Sequence, residues 1–417
     1  MRVFQRYLWL ATCGFALHCE LPGESVGTLV VDPGEGVDGE EEQGDQSGGD
    51  ASVDVDLDLE YTSIQLDIAA NQLAAGALDG DDHLDLVVTV SLGNSRSEVI
   101  AYRGDGRAGF VRDTQRRYGD VIGARPVGLV GLDTDGDGRD TVVIAVERPD
   151  LNDAVLVEDR RDADGMAWLD LPIHDSLAGG RPVIGSCRAD GDSSEDLCIA
   201  GASTTAFTLS RLGTESSPPD LAAVTTDDPL LATWADFDGD AYDDVLISAA
   251  HDELYLHLGG AIEEDGVWAM ALVGRPTRLI AADVDGDEQP DAVLFGGADS
   301  EKSSLSYVDV AINRGGGLFR PPVRTAIAAS SLGTIVVANL DGNSRQDFVL
   351  QATDADGDPV LLALVAAPDQ GMIPVRLPAT ACACSPIMVG DYDEDGRDDV
   401  LGVSHHSGDV FMLRSGD

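Results

Sequence analysis

The chain has 417 residues, 43% of them hydrophobic but only 5% aromatic, so any core it builds is aliphatic. Its 76 acidic residues against 26 basic ones give a formal charge of −50, which excludes the basic footprint that nucleic acid or a bare anionic membrane requires. Cations are the natural counterpart, and the single lysine, Lys302 in the run ADSEKSS, gives Schiff-base chemistry little foothold.

Residues 1–19 open with MRVFQR and continue as YLWLATCGFALHC, a short positive segment before an apolar run too short to span a bilayer. This is an export-signal pattern. Cys13 follows Leu10-Ala11-Thr12, in the manner of a bacterial lipoprotein processing site, with Cys19 as the weaker alternative; lipidation and simple cleavage both remain open. Residues 20–52, with the run GEGVDGEEEQGDQSGGD, lack the apolar content of a core and read as an acidic, self-repelling linker. From Val53 to Glu60 apolar residues alternate with acids, the period of a strand with one buried face.

From there to residue 417 an Asp-rich loop recurs seven times, with its central pair starting at Asp79, Asp135, Asp190, Asp238, Asp285, Asp341 and Asp393, at intervals of roughly 50 residues. Six of these pairs are Asp-Gly, and the last is Asp393-Glu394. Apolar runs such as VGLVGL and VVIAV, or TIVVA and FVLQA, flank each loop and fit strands buried on both faces. Further hairpins follow, clearest in VIAYRGDGRAGF, ELYLHLGG and VDVAINRGGGLF. The predicted fold is all-β: a seven-bladed β-propeller of four-stranded blades over 53–417. The last unit ends one strand short, so the strand at 53–60 is expected to join it and close the ring.

Aligned, the loops read ALDGDDHLD, DTDGDGRDT, RADGDSSED, DFDGDAYDD, DVDGDEQPD, NLDGNSRQD and DYDEDGRDD. Oxygen-bearing side chains recur at positions one, three, five and nine, and a glycine at four or six permits a sharp turn. Calcium takes six to eight oxygen ligands in flexible geometry, whereas magnesium demands a stricter octahedron. The alternative is a set of tight turns whose carboxylates merely satisfy backbone donors, a reading that seven copies make harder to hold.

On these motifs the region 53–417 resembles the FG-GAP/VCBS repeat family, the integrin-alpha-like seven-bladed propellers found also in exported bacterial proteins. The resemblance implies calcium held at positions one, three, five and nine together with the position-seven carbonyl. Asp236, Asp238, Asp240 and Asp244 match, as do Asp283, Asp285, Asp287 and Asp291, and Asp391, Asp393, Asp395 and Asp399. Asn339, Asp341, Asn343 and Asp347 match with two neutral donors. Three loops depart from the pattern. Thr141 stands at position nine behind Asp133, Asp135 and Asp137, with Asp140 as a substitute if the register changes. Ala77 removes the first ligand before Asp79, Asp81 and Asp85, and Arg188 replaces it before Asp190, Asp192 and Asp196, where its guanidinium is able to stand in for a cation.

Cys187 and Cys198 flank the third loop on strands expected to pair, so a disulfide there suits an exported protein. Cys382 and Cys384 share a strand face, and zinc finds no suitable second pair. Similar propellers engage ligands on the face opposite the metal loops, and here the inter-blade connections carry Arg125-Pro126, Arg181-Pro182 and Arg275-Pro276. These arginines either bind an anionic ligand or tie acidic blades together. HExxH and Walker patterns are absent, and His405 and His406 read as turn residues, so no catalytic site is predicted. The expected protein is a monomeric, secreted or lipid-tethered binding or adhesion module for a protein or glycan. It has no nucleic-acid partner and meets the membrane only through a lipid anchor. The rival readings are a lectin, for which four tryptophans leave few stacking platforms, or the propeller domain of a polysaccharide lyase or glycosidase.

Overall fold

The computed structural model describes residues 57–415 apart from 172–182, 188–195, 213–230, 259–266 and shorter stretches, among them 67–71, 134–138, 298–304, 379–383 and 405–408. The signal and linker readings, His405, His406, Lys302 and Cys382 therefore lie outside the described residues.

All the regular structure described is β, in strands set by short aliphatic runs between Asp-Gly and Gly-rich turns. The first strand, Leu59–Ile64 (β1), is followed by Gln72–Gly76, Asp85–Gly93, Arg96–Gly104 and Phe110–Ile122 (β2 to β5), which form sheet 1. Sheet 2 holds Arg125–Leu132, Thr141–Arg148, Asp153–Asp162 and Gly165–Leu171 (β6 to β9). Sheet 3 holds Val183–Cys187, Asp196–Ser203 and Ala206–Leu212 (β10 to β12), and sheet 4 holds Leu231–Ala235, Asp244–Ala249, Glu253–His257 and Val267–Ala271 (β13 to β16). Sheet 5 comprises Arg278–Ala282, Asp291–Gly296, Ser306–Ala311 and Val323–Ile327 (β17 to β20). Sheet 6 comprises Ser331–Ala338, Asp347–Thr353, Pro359–Ala367 and Gly371–Arg376 (β21 to β24). Sheet 7 orders β1 outside Val410–Ser415, Asp399–Ser404 and Cys384–Gly390 (β27, β26 and β25). Every pairing within these sheets is antiparallel, and each of sheets 1 to 6 meanders in chain order.

The strand expected at 53–60 to complete the last unit is found at Leu59–Ile64, paired antiparallel with β27 from Leu59↔Ser415 to Ile64↔Val410. Its position shifts C-terminally because Ile64, and not the alternating acidic stretch, supplies the buried residue, while Tyr61 stacks on Phe411 with ring centroids 6.0 Å apart. The third unit shows three strands among the described residues instead of the expected four.

The cores lie between sheets. Ile280, Val293, Phe295 and Val308 of sheet 5 share one with Ile335, Phe348, Leu350 and Leu364 of sheet 6, where Phe295 and Phe348 meet edge to face at 5.3 Å. Leu279, Ala281 and Leu294 pack instead against Phe237, Leu246 and Leu254 of sheet 4. Alternate residues of one strand thus serve two neighbouring sheets, which is why these runs are apolar throughout rather than alternating. A third core joins the two ends of the chain: Leu73, Leu86, Val88 and Ile100 of sheet 1 with Ile64, Met388, Leu401, Val410 and Met412 of sheet 7.

Candidate metal loops

Each Asp loop spans the connection between the first and second strands of a sheet, and all seven close on one register. Gly76↔Asp85, Leu132↔Thr141, Cys187↔Asp196, Ala235↔Asp244, Ala282↔Asp291, Ala338↔Asp347 and Gly390↔Asp399 are the closing pairs. Position nine is therefore always the first residue of the second strand. Thr141 keeps this register, so the change that was to bring Asp140 into its own loop does not occur.

The position-nine carboxylate is buried and tied to backbone. Asp85, Asp291, Asp347 and Asp399 accept through Oδ2 from the amides of Leu78, Val284, Leu340 and Tyr392 at 3.0–3.2 Å. Through Oδ1 they accept from Gly104, Asn313, Ala366 and Ser415 at 2.8–3.0 Å, so each joins its loop to the end of the third strand. In sheet 7 that strand is β27. Burial pushes Asp85 up to about 6 and Asp291, Asp347 and Asp399 up to about 7, with neighbouring loop carboxylates adding to the effect.

Position one organises the turn. Asp236 accepts from the amides of Gly239, Asp240 and Ala241 at 2.7–3.0 Å, and Asp283 from Gly286, Asp287 and Glu288 at 2.7–3.1 Å. Asp391 does the same for Asp395 and Gly396, both at 3.0 Å. Positions three and five each accept from the amide two residues on, as in Asp238 to Asp240 and Asp240 to Tyr242. Oxygens from Asp79, Asp81 and Asp85, from Asp236, Asp238 and Asp244, from Asp283, Asp285 and Asp291, and from Asp391, Asp393 and Asp395 converge to within 4.8 Å in each set. Burial and then like charge raise Asp238 and Asp285 above the usual carboxylate range. In sheet 6 Asp341 accepts from the amide of Asn343 and Asn343 from that of Arg345, as at positions three and five elsewhere, whereas the position-one Asn339 Oδ1 accepts from no loop amide. Asp133 borders its loop, while Asp135, Asp137, Asp190, Asp192 and Arg188 lie outside the described residues, as does the Asp196 side chain.

Two arginines alter this picture. Arg103 reaches Asp79 at 3.2 Å and Asp113 at 3.0 Å, and Arg414 pairs with Asp393 through Nε at 2.9 Å and through Nη2. Each directly precedes the residue that donates to the position-nine carboxylate, where sheets 5 and 6 place Ile312 and Val365. Loops 1 and 7 thus contain a positive charge of their own. The substitution foreseen for Arg188 in loop 3 is met here from the far strand, a relation no local motif reveals.

Position eight is a further structural position that the motif did not disclose. Asp140 and Ala77 exchange two hydrogen bonds at 2.9 and 2.8 Å, Gln346 and Asp283 two at 2.7 Å, and Asp398 and Asn339 two at 2.8 and 2.7 Å. In every case position eight of one sheet clasps position one of the sheet before it. Position seven reaches the same neighbour: a Cβ on Gly80 would meet Arg139 Nε at 2.8 Å, and one on Gly342 would meet Arg397 Cγ at 3.2 Å. In loop 7 position four is Glu394, and its partner is His83 of loop 1, whose Nδ1 meets Glu394 Oε1.

Cys187 pairs with Asp196 and Cys198 with Gly185, so the two cysteines are diagonal neighbours in the hairpin and not directly opposed. Arg125 opens β6, its side chain outside the described residues, as are Arg181 and Arg275. A second kind of acidic turn, Asp354 to Asp358 between β22 and β23, carries DADGD outside the seven aligned loops. Asp354 accepts there from the amides of Asp356 and Asp358 at 3.0 Å.

No family model and no curated protein matches the chain. Similar solved structures include an Agrocybe aegerita lectin described as recognising non-reducing terminal N-acetylglucosamine, 15% identical over 77% of this chain and 80% of that one, with a TM-score of 0.47. AofleA from Arthrobotrys oligospora is 10% identical over 76% of this chain and 89% of its own, at 0.41. The S. cerevisiae core factor is 10% identical over 86% of this chain and 61% of its own, at 0.52. These likenesses are of fold alone.

Proposed function

We propose that the chain is an exported, calcium-stabilised binding module of the FG-GAP/VCBS kind, a closed seven-bladed propeller that binds a protein or glycan ligand at the cell surface. The observation that carries this reading is the convergence of carboxylates in repeated loops at one register. Seven sheets in chain order, a core shared by sheets 1 and 7, and the His83–Glu394 contact between their loops support ring closure.

The donors fit a hard cation. They are carboxylate and amide oxygens, and Asn339 Oδ1 and Asp393 Oδ1 are buried with no hydrogen-bond partner. Loops 4 and 5 would hold calcium through Asp236, Asp238, Asp240 and Asp244 and through Asp283, Asp285, Asp287 and Asp291. Loop 6 offers Asn339, Asp341, Asn343 and Asp347. Bound calcium supplies the positive charge that these clustered oxygens lack. In loops 1 and 7, Arg103 and Arg414 already supply part of it. The calcium role is structural: the clasps at positions seven and eight carry the order of one loop into the next, which holds the opposite face rigid for ligand. Lipidation at Cys13 or Cys19 would tether the module, and cleavage without it would release it.

The test is a screen of glycans and bacterial surface proteins against the full mature chain, run with calcium and with chelator. Saturable, calcium-dependent binding of one class is expected. Turnover of a polysaccharide without retention would instead favour an enzyme.

A further inference from the structure

Most described arginines have an evident structural task. Arg103, Arg324, Arg376 and Arg414 pair with carboxylates, and Arg139, Arg345 and Arg397 lie against glycines of a neighbouring Asp loop. Arg278 has neither. Its Nη1 donates to the Thr277 carbonyl at 2.7 Å, and no described carboxylate lies within ion-pairing distance. Burial pulls the guanidinium below its usual range, and none of the described acids stands beside it to offset this. An uncompensated, partly desolvated charge is costly, and in a chain with 76 acids it is conspicuous.

Its place is informative. Arg278 is the first residue of β17, at the end of the strand about 16 Å from the Asp loop. Leu279 and Ala281 face sheet 4 while Ile280 and Ala282 face sheet 6, so alternation puts Arg278 on the sheet 6 side. The facing strand, β21, is bulged between Leu332 and Ile335, a local break of the ladder that re-aims side chains. Counting back equally from the other Asp loops gives Gln72, Gly128, Val183, Leu231, Thr334 and Pro386, none of them charged. The repeat itself therefore has no need of a cation at this position.

We propose that Arg278 is an anion-recognising residue at the end of the inner strands remote from the Asp loops, and that it receives a single carboxylate, as carried by a terminal acidic sugar. A guanidinium binds a planar carboxylate through two parallel hydrogen bonds. The −50 charge sets the size of the ligand, because a polyanion is repelled by the whole surface whereas one carboxylate is held locally. The proposal rests on the binding-module reading and names its ligand class.

The experiment titrates the full mature chain, calcium-loaded, with sodium glucuronate, glucose and sodium acetate at matched ionic strength, followed by calorimetry and thermal unfolding. Saturable binding of glucuronate but not glucose is expected, with a tenfold or greater loss in Arg278→Leu, about what removal of a charge-assisted hydrogen-bond pair produces. Equal binding of acetate identifies a free carboxylate as sufficient and also supports the site. Arg278→Leu is further expected to melt at a higher temperature than the parent without ligand, because it removes an uncompensated charge, whereas a structural role predicts a lower one. No carboxylate binding by the parent, or equal binding by the variant, overturns the proposal. The chelator response of the same samples reports separately on the calcium reading.

Discussion

At φ +61° Glu394 adopts a left-handed conformation that Gly80, Gly239, Gly286 and Gly342 adopt at the same loop position with φ between +72° and +87°. The exception is matched by its neighbour: where Gly80, Gly286 and Gly342 receive an arginine from the next loop, Glu394 receives His83. Ala241 and Glu288, at position six, are also left-handed, at +74° and +68°, without such a partner through their side chains. Ala241→Gly and Glu288→Gly are therefore each expected to stabilise the protein by about 1 kcal/mol in urea unfolding, the strain of an L-residue in that region. Glu394→Gly relieves the same strain but loses its contact, so its gain should be smaller. Asp347→Ala would strand the buried amides of Leu340 and Ala366 and is expected to cost about 2–5 kcal/mol. A loss no larger than that of an exposed Asp→Ala would contradict the assigned role.

Within one loop, burial and mutual repulsion make protonation and cation binding competitors. Asp85 and Asp398 are raised to about 6 and Asp291, Asp347 and Asp399 to about 7, against an ordinary 3.8. Without metal the folded state holds more protons than the unfolded chain across that window, so its stability falls as pH rises from about 4 through 7. A cation bound as proposed would displace those protons and reverse the trend. The melting-temperature gap between calcium and chelator should be wide at pH 8 and nearly closed at pH 5; a gap independent of pH would count against carboxylate ligation. Arg414→Gln leaves Asp393 without its counter-charge and is expected to raise the calcium affinity of loop 7, read as an added or tightened site in titration. Positions one, three, five and nine were legible in the sequence because each needs an oxygen donor, and few residue types supply one. Position eight was not: Asp140, Gln346 and Asp398 share only a side-chain acceptor, and its partner lies a full repeat away. Arg103 and Arg414 escaped for the same reason, since they enter from the far strand.

On the scale of the molecule, the roughly 50-residue period announced repeated sheets, because each unit must spend its apolar residues on both neighbours. The strand that completes sheet 7 was legible in existence but not in position. Alternation at 53–60 marked an amphipathic segment, whereas pairing follows Ile64 and Tyr61 against Val410 and Phe411. Removing residues 1–64 should expose the edge of β27 and take Ile64 from the core shared with sheet 1. Lower thermal stability by thermal unfolding and concentration-dependent association by light scattering are expected, and an unchanged association state with the parent melting temperature would argue against closure through β1.

The most direct test of the central claim is to count calcium bound to the mature chain by elemental analysis and to follow thermal unfolding at pH 8 with excess calcium and then with chelator. Two or more ions per chain, with a large fall in melting temperature on chelation, is the predicted result. No bound ion and no shift would show that the Asp loops are turns held by their own backbone hydrogen bonds.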